Sequence, residues 1–157
     1  MRKIVCRDSC ELEHDAKKVF DAVSDVGAYE LWWPEDVKIK VICRNENISG
    51  SKVDIRSSGG SFKCELVSFI ADKEVKVNYY GGVLRGSAVW LIDKTGEDSC
   101  RLHYNLDLVP HGFIPEFLSN FIDFSAIHSR TMTVMFSGLK KHLDSERNRD
   151  IKTAWRK

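Results

Sequence analysis

Residues 115–143 read PEFLSNFIDFSAIHSRTMTVMFSGLKKHL, and the spacing of their apolar side chains decides the fold. Phe117, Leu118, Phe121, Phe124, Met132, Met135, Phe136, Leu139 and Leu143 return every three or four positions, the period of one helix face. His128 and Ser125 fall inside that stripe, while Glu116, Ser119, Asp123, Arg130 and Lys141 fall opposite it. Pro115 suits a first helical position, so the pattern predicts a helix over 115–143, about 40 Å long. Two polar groups among aromatics and methionines fit either a core with one satisfied histidine or the wall of a ligand pocket. Residues 144–157 are charged, with Ile151 and Trp155 as the main apolar exceptions, and read as a frayed tail beyond a single domain over 1–143.

Upstream the period changes from helical to alternating. Residues 3–12 place Ile4, Cys6, Asp8, Cys10 and Leu12 on one face of a strand. Asp15 reads as the N-cap of a helix through Val26, with Ala16, Val19, Phe20 and Val23 on one side. A short second helix follows over 28–32, and Pro34 ends it. Residues 36–108 then read as a meander of six strands joined by turns such as Ser58-Gly59-Gly60-Ser61 and Gly81-Gly82. The expected class is α+β: a curved antiparallel sheet of about seven strands around one long C-terminal helix, with two short helices between strands 1 and 2.

Composition narrows the function. A chain of 157 residues with 43% hydrophobic and 30% charged side chains forms one ordinary globular domain. A net charge of +1 supplies no field for nucleic acid or an anionic membrane. The start Met1-Arg2-Lys3 leads into an apolar stretch that Arg7 and Asp8 cut short, so no signal peptide is read and a cytoplasmic location is expected. Five cysteines without a CxxC pattern are expected as small core residues in a reducing compartment. Cys6 and Cys10 share a strand face about 13 Å apart, too far for a disulfide or a shared ion. His14, His103, His111 and His142 fall on predicted outer faces or loops, so neither a metal site nor a cofactor is expected.

The Val19-Phe20-Asp21-Ala22-Val23 helix, Tyr29 with Trp32-Trp33-Pro34, Gly86 with Trp90-Leu91, Gly112-Phe113-Ile114-Pro115 and the closing Leu139–Leu143 stretch occur in an order that resembles the START-like (SRPBCC, helix-grip) superfamily. The likeness spans residues 3–143 and is greatest to the polyketide cyclase/dehydrase and coenzyme-Q-binding START groups. It implies a hydrophobic cavity between sheet and helix that takes lipids, polyketides, quinones or other apolar molecules. It implies no shared catalytic constellation.

Candidate residues follow from the inward series. His128 reads as a hydrogen-bonding group or a general acid/base on the helix, or as a core histidine. Asp8 lies on the inward face of the first strand, where an unpaired carboxylate is costly, and His128 is one partner it could take. Tyr79, Trp90 and Tyr104, with Phe117, Phe121, Phe124, Ser125 and Met132 of the helix, are the expected cavity lining, and Ser57 and Ser68 add small polar positions. By the resemblance, Trp32, Trp33 and Phe113 flank the cavity mouth, where exposed aromatics allow at most a transient membrane contact. Three functions compete: a carrier of an apolar or aromatic small molecule, an aromatase/cyclase-type enzyme in which His128 and Asp8 move protons, and a partner-binding module. Ligand identity and oligomeric state are left open by the sequence.

Overall fold

Alternation on β1 (Ile4–Leu12) buries Ile4, Cys6 and Leu12 and exposes Val5, Arg7, Ser9 and Glu11, as a strand covered on one face requires. The computed structural model describes residues 3–112 and 123–156. After β1 come α1 (Ala16–Ser24) and a 3-10 helix (Val26–Leu31). Six strands follow: β2 (Lys38–Cys43), β3 (Lys52–Ser57), β4 (Gly60–Ile70), β5 (Glu74–Gly82), β6 (Leu84–Gly96) and β7 (Ser99–Pro110). A long helix, α2 (Phe124–Ala154), closes the described chain. All neighbouring strands are antiparallel, in the order β1-β7-β6-β5-β4-β3-β2. The meander therefore runs from edge strand β2 to β7, and β1 adds to the far side.

Local chemistry sets the helix boundaries. Asp15 caps α1 by accepting the Lys18 amide at 2.9 Å, and Asp25 caps the 3-10 helix by accepting the amide of Gly27 at 3.0 Å. The short second helix thus begins at Val26 and is 3-10 rather than α-helical. Asp123 interrupts the expected 115–143 helix: its backbone is non-helical and its side chain accepts the Ala126 amide at 3.1 Å. The apolar period runs through this position, but a short carboxylate that can bond the next turn favours a cap. Phe113, Phe117, Phe121 and the expected helix start at Pro115 lie outside the described residues.

At its other end α2 runs on past Leu143 to Ala154. The extension is tied down by polar contacts that an apolar pattern does not report. His14, expected on an outer surface, is 3% exposed, with Nε2 2.8 Å from Asp144 Oδ1. The Arg147 guanidinium lies 3.0 Å from the other His14 ring nitrogen and donates to the Glu13 carbonyl. At the opposite end Cys6 Sγ lies 3.7 Å from the Ser125 carbonyl. Between these two ties the extended chain advances about 26 Å and the helix about 28 Å, so α2 lies alongside β1 in the same direction.

One core cluster joins the covered sheet face to both helices, including Leu102, Leu106, Val19, Val23, Met132 and Leu139. Two of the expected inward positions are exposed instead. A register shift between Leu66 and Ser68 inserts an extra residue into β4, so Ser68 is exposed and Phe69 packs on Phe20 with ring centroids 5.9 Å apart. Cys43 lies at the end of edge strand β2, beyond a second register shift, and is exposed; Cys6, Cys64 and Cys100 are buried and Cys10 is half-buried.

Candidate functional site

Register places three of the candidates on one line. Asp8 of β1 pairs with Tyr104 of β7, which pairs with Trp90 of β6. All three side chains leave the sheet on the covered face, where neighbouring strands stand about 4.8 Å apart. Trp90 and Tyr104 have ring centroids 4.1 Å apart. From above, α2 lowers His128 onto this row: its ring stacks on Tyr104 at 6.0 Å, and its Nδ1 lies 3.7 Å from Asp8 Oδ2.

Tyr79 joins from β5. Its hydroxyl hydrogen-bonds the Tyr104 hydroxyl across β6, where the inward residues opposite are Gly86 and Ala88. Those small residues leave a lane for the two phenols to meet. Phe62 stacks on Tyr79 with centroids 5.4 Å apart. At the other end of the row, Trp90 meets Trp32 at 6.1 Å, and Trp32 and Trp33 pack around Tyr29. Trp32 is 2% exposed, so it is a buried wall of this aromatic run and not an exposed rim; Trp33 is half-buried. Met132 is buried, while Phe124, Ser125 and Ser57 are half-buried.

The electrostatics are those of a dry region holding a few polar groups. Burial pulls the His128 imidazole below its ordinary pKa, and the nearby Asp8 carboxylate opposes the shift. At 3.7 Å the pair is within ion-pair range but beyond a hydrogen bond. Among the described residues, Asp8 Oδ2, His128 Nδ1, Trp32 Nε1 and Trp33 Nε1 are buried polar atoms without a hydrogen-bond partner. Each such atom costs about 1–3 kcal/mol unless something satisfies it.

Burial also raises the phenols of Tyr29, Tyr79 and Tyr104, three of the four tyrosines, well above the ordinary tyrosine range. Their folded pKa values exceed the unfolded value of about 10, so this stabilisation is complete below about pH 10 and is lost as pH rises towards the folded values. Three phenol equivalents are therefore expected to ionise only in the alkaline step that also abolishes the circular dichroism of the fold. Ionisation of these phenols near pH 10 with secondary structure intact would contradict their burial.

Sequence reasoning misses two members of this region. Cys6 reads as an ordinary core residue, yet its Sγ lies with the Asp8 carboxylate and a His128 ring nitrogen in a group whose donor atoms are all within 4.8 Å of one another. Its position two residues before Asp8 on one strand face is the available signal. Phe62 belongs to an inward series in the sequence but not to the expected lining. Two open clefts of about 620 Å³ each lie elsewhere, beside α1 and the adjoining strand ends. Charged side chains such as Glu13, Lys18, Asp98 and Arg147 line the first, which does not suit an apolar guest.

A seven-stranded antiparallel sheet carrying a long C-terminal helix, with short helices between its first two strands, is the START-like fold. The family model for polyketide cyclase / dehydrase and lipid transport matches residues 12–132, and the chain belongs to that family. No curated protein matches the chain. Among solved structures it is similar to a START superfamily protein from Mycobacterium smegmatis, with 18% identity over 90% of this chain and 97% of that one, at a TM-score of 0.71. It is similar to TTHA0849 from Thermus thermophilus, with 14% identity, 92% and 99% coverage and a TM-score of 0.72. It is also similar to norcoclaurine synthase from Thalictrum flavum in complex with dopamine and hydroxybenzaldehyde, with 18% identity, 89% and 86% coverage and a TM-score of 0.64. At these identities the likeness shows the fold alone. Among the described residues no helix is long and apolar enough to cross a membrane.

Proposed function

We propose that the protein binds an apolar or aromatic small molecule, of the lipid, quinone or polyketide kind, between the sheet and α2. The observation that carries this reading is the set of buried polar atoms at Asp8, His128, Trp32 and Trp33 that have no partner among the described residues, along a run of aromatic rings. A dry core gains nothing from such atoms, whereas a pocket uses a few convergent polar groups to orient a mostly apolar guest. Asp8 and His128, which are half-buried, face the guest's polar end, and the packed rings of Tyr104 and Trp90 form the apolar wall behind them. The family description includes lipid transport, and the similar norcoclaurine synthase holds two aromatic compounds.

A thermal-shift screen of fatty acids, quinones and aromatic polyketides tests the reading. A ligand at about 100 times its Kd adds about 2.7 kcal/mol, which raises the Tm of a domain this size by about 5–11 °C. Native mass spectrometry of the purified protein gives the complementary readout, a retained mass. No shift across the screen together with no retained mass would remove the proposal.

The closeness of Asp8 and His128 favours a second reading, acid–base catalysis on a poly-carbonyl substrate held in the same place. The two readings separate on His128→Ala. A catalytic histidine leaves ligand binding intact and abolishes turnover, whereas a binding histidine loses both together.

A further inference from the structure

We infer that Cys6, Asp8 and His128 form a binding site for a thiophilic divalent cation, zinc being the best match. Cys6 and Asp8 are two residues apart on the covered face of β1, so both side chains leave the strand in the same direction. His128 reaches Asp8 from α2, whose first turn also meets Cys6 through the Ser125 carbonyl. One thiol, one carboxylate and one imidazole thereby converge from two elements, with every donor atom within 4.8 Å of the others.

The second observation is that two of these donors are left unsatisfied. Asp8 Oδ2 and His128 Nδ1 are both buried, face each other at 3.7 Å and have no hydrogen-bond partner among the described residues. Two unsatisfied donor atoms at this separation are placed to ligate one ion together. In a tetrahedral zinc site, ligand atoms stand about 3.4–3.6 Å apart, given metal–ligand distances of about 2.0–2.3 Å. The His128–Asp8 separation is already close to that value, and Cys6 needs a side-chain shift of only about an ångström to complete the triangle.

Donor chemistry decides which cation. Calcium and magnesium take sets of six or more oxygens, and this site offers one carboxylate. A thiolate with an imidazole selects zinc, cobalt or copper. Three protein ligands leave a fourth tetrahedral position, the arrangement of sites that also take up water or a ligand. Tyr104 stacks on the ring of the His128 ligand. The metal site stands on the donors alone, and an apolar guest is not needed for it.

The test uses the full chain, freed of metal by a chelator and titrated anaerobically with Co²⁺ alone. A thiolate-to-cobalt charge-transfer band with four-coordinate d–d bands, saturating at one Co²⁺ per chain and displaced by Zn²⁺, is expected. Cys6→Ser is expected to abolish the charge-transfer band, and Cys43→Ser to leave it. Asp8→Asn and His128→Gln should each weaken Co²⁺ binding by about 10–100-fold or more, since loss of a mere outer-shell partner already costs that much. Should Cys6→Ser fail to fold, the same band retained in Cys10→Ser, Cys64→Ser and Cys100→Ser, together with the Cys43→Ser result, assigns it to Cys6 by elimination. Absence of the band in the unmodified chain, or its persistence in Cys6→Ser, overturns the inference. A thermal shift with apolar ligands on the metal-free protein is read separately, so failure of one proposal leaves the other standing.

Discussion

Trp90→Ala is expected to destabilise the protein by about 3–5 kcal/mol, lowering Tm by about 6–20 °C. Trp90 is 2% exposed and sits in the middle of the aromatic run, with Tyr104 on one side at 4.1 Å and Trp32 on the other at 6.1 Å. Its removal takes away the largest fully buried side chain and two aromatic contacts, each worth about 0.5–1.5 kcal/mol beyond burial. The strands on either side are fixed by their ladders, so the hole cannot collapse fully. Trp90→Phe keeps most of the contact area and should recover more than half of the loss. Phe69→Ala supplies the contrast: Phe69 is 39% exposed and meets one ring, so its removal should cost well under half as much. Urea denaturation of the three variants measures these differences. A Trp90→Ala loss below about 1.5 kcal/mol, outside the usual cost of deleting a buried aromatic, would show that the row is not packed as described.

Gly138→Ala is the second large effect, and its sign is the informative part. In the interior of a helix this change ordinarily stabilises by about 1 kcal/mol, because alanine is the better helix former. Here a Cβ on Gly138 would stand 2.2 Å from the Trp32 carbonyl oxygen and 3.2 Å from the carbonyl carbon. Overpacking of this kind costs up to about 3 kcal/mol, and a backbone carbonyl cannot rotate away as a side chain can. A net loss of about 2 kcal/mol is therefore expected, the clash exceeding the propensity gain. Ser137→Ala, one residue earlier, should be neutral or slightly stabilising and serves as the control. Near-ultraviolet circular dichroism should change in Gly138→Ala, because the residue pressed aside carries Trp32. Stabilisation by Gly138→Ala would show that α2 does not approach the end of the 3-10 helix this closely.

Much of the fold was legible because burial enforces periodicity. Ile4, Cys6, Asp8, Cys10 and Leu12 alternate with polar residues, and Cys100, Leu102, Tyr104, Leu106 and Leu108 do the same; both series face the core side as read. The readings that failed lie where a local event interrupts the period. The β4 bulge reverses the faces of Ser68 and Phe69, and a bulge has no sequence mark as strong as alternation itself. Asp123 caps a helix in the middle of an apolar stripe, and His14 is buried by Asp144 and Arg147, which follow it by some 130 residues. Nothing near His14 in the chain announces those partners.

The candidate site divides in the same way. That Asp8, Tyr104 and Trp90 point inward, and that His128 lies on the apolar stripe of the helix, follows from the order of residues alone, because side-chain direction is a property of each element taken singly. That Asp8, Tyr104 and Trp90 share one row, that His128 stops 3.7 Å from Asp8, and that Cys6 joins them, was decided only by strand register and by where α2 settles along β1. Register and helix position minimise the free energy of the whole core at once, so no single segment contains them.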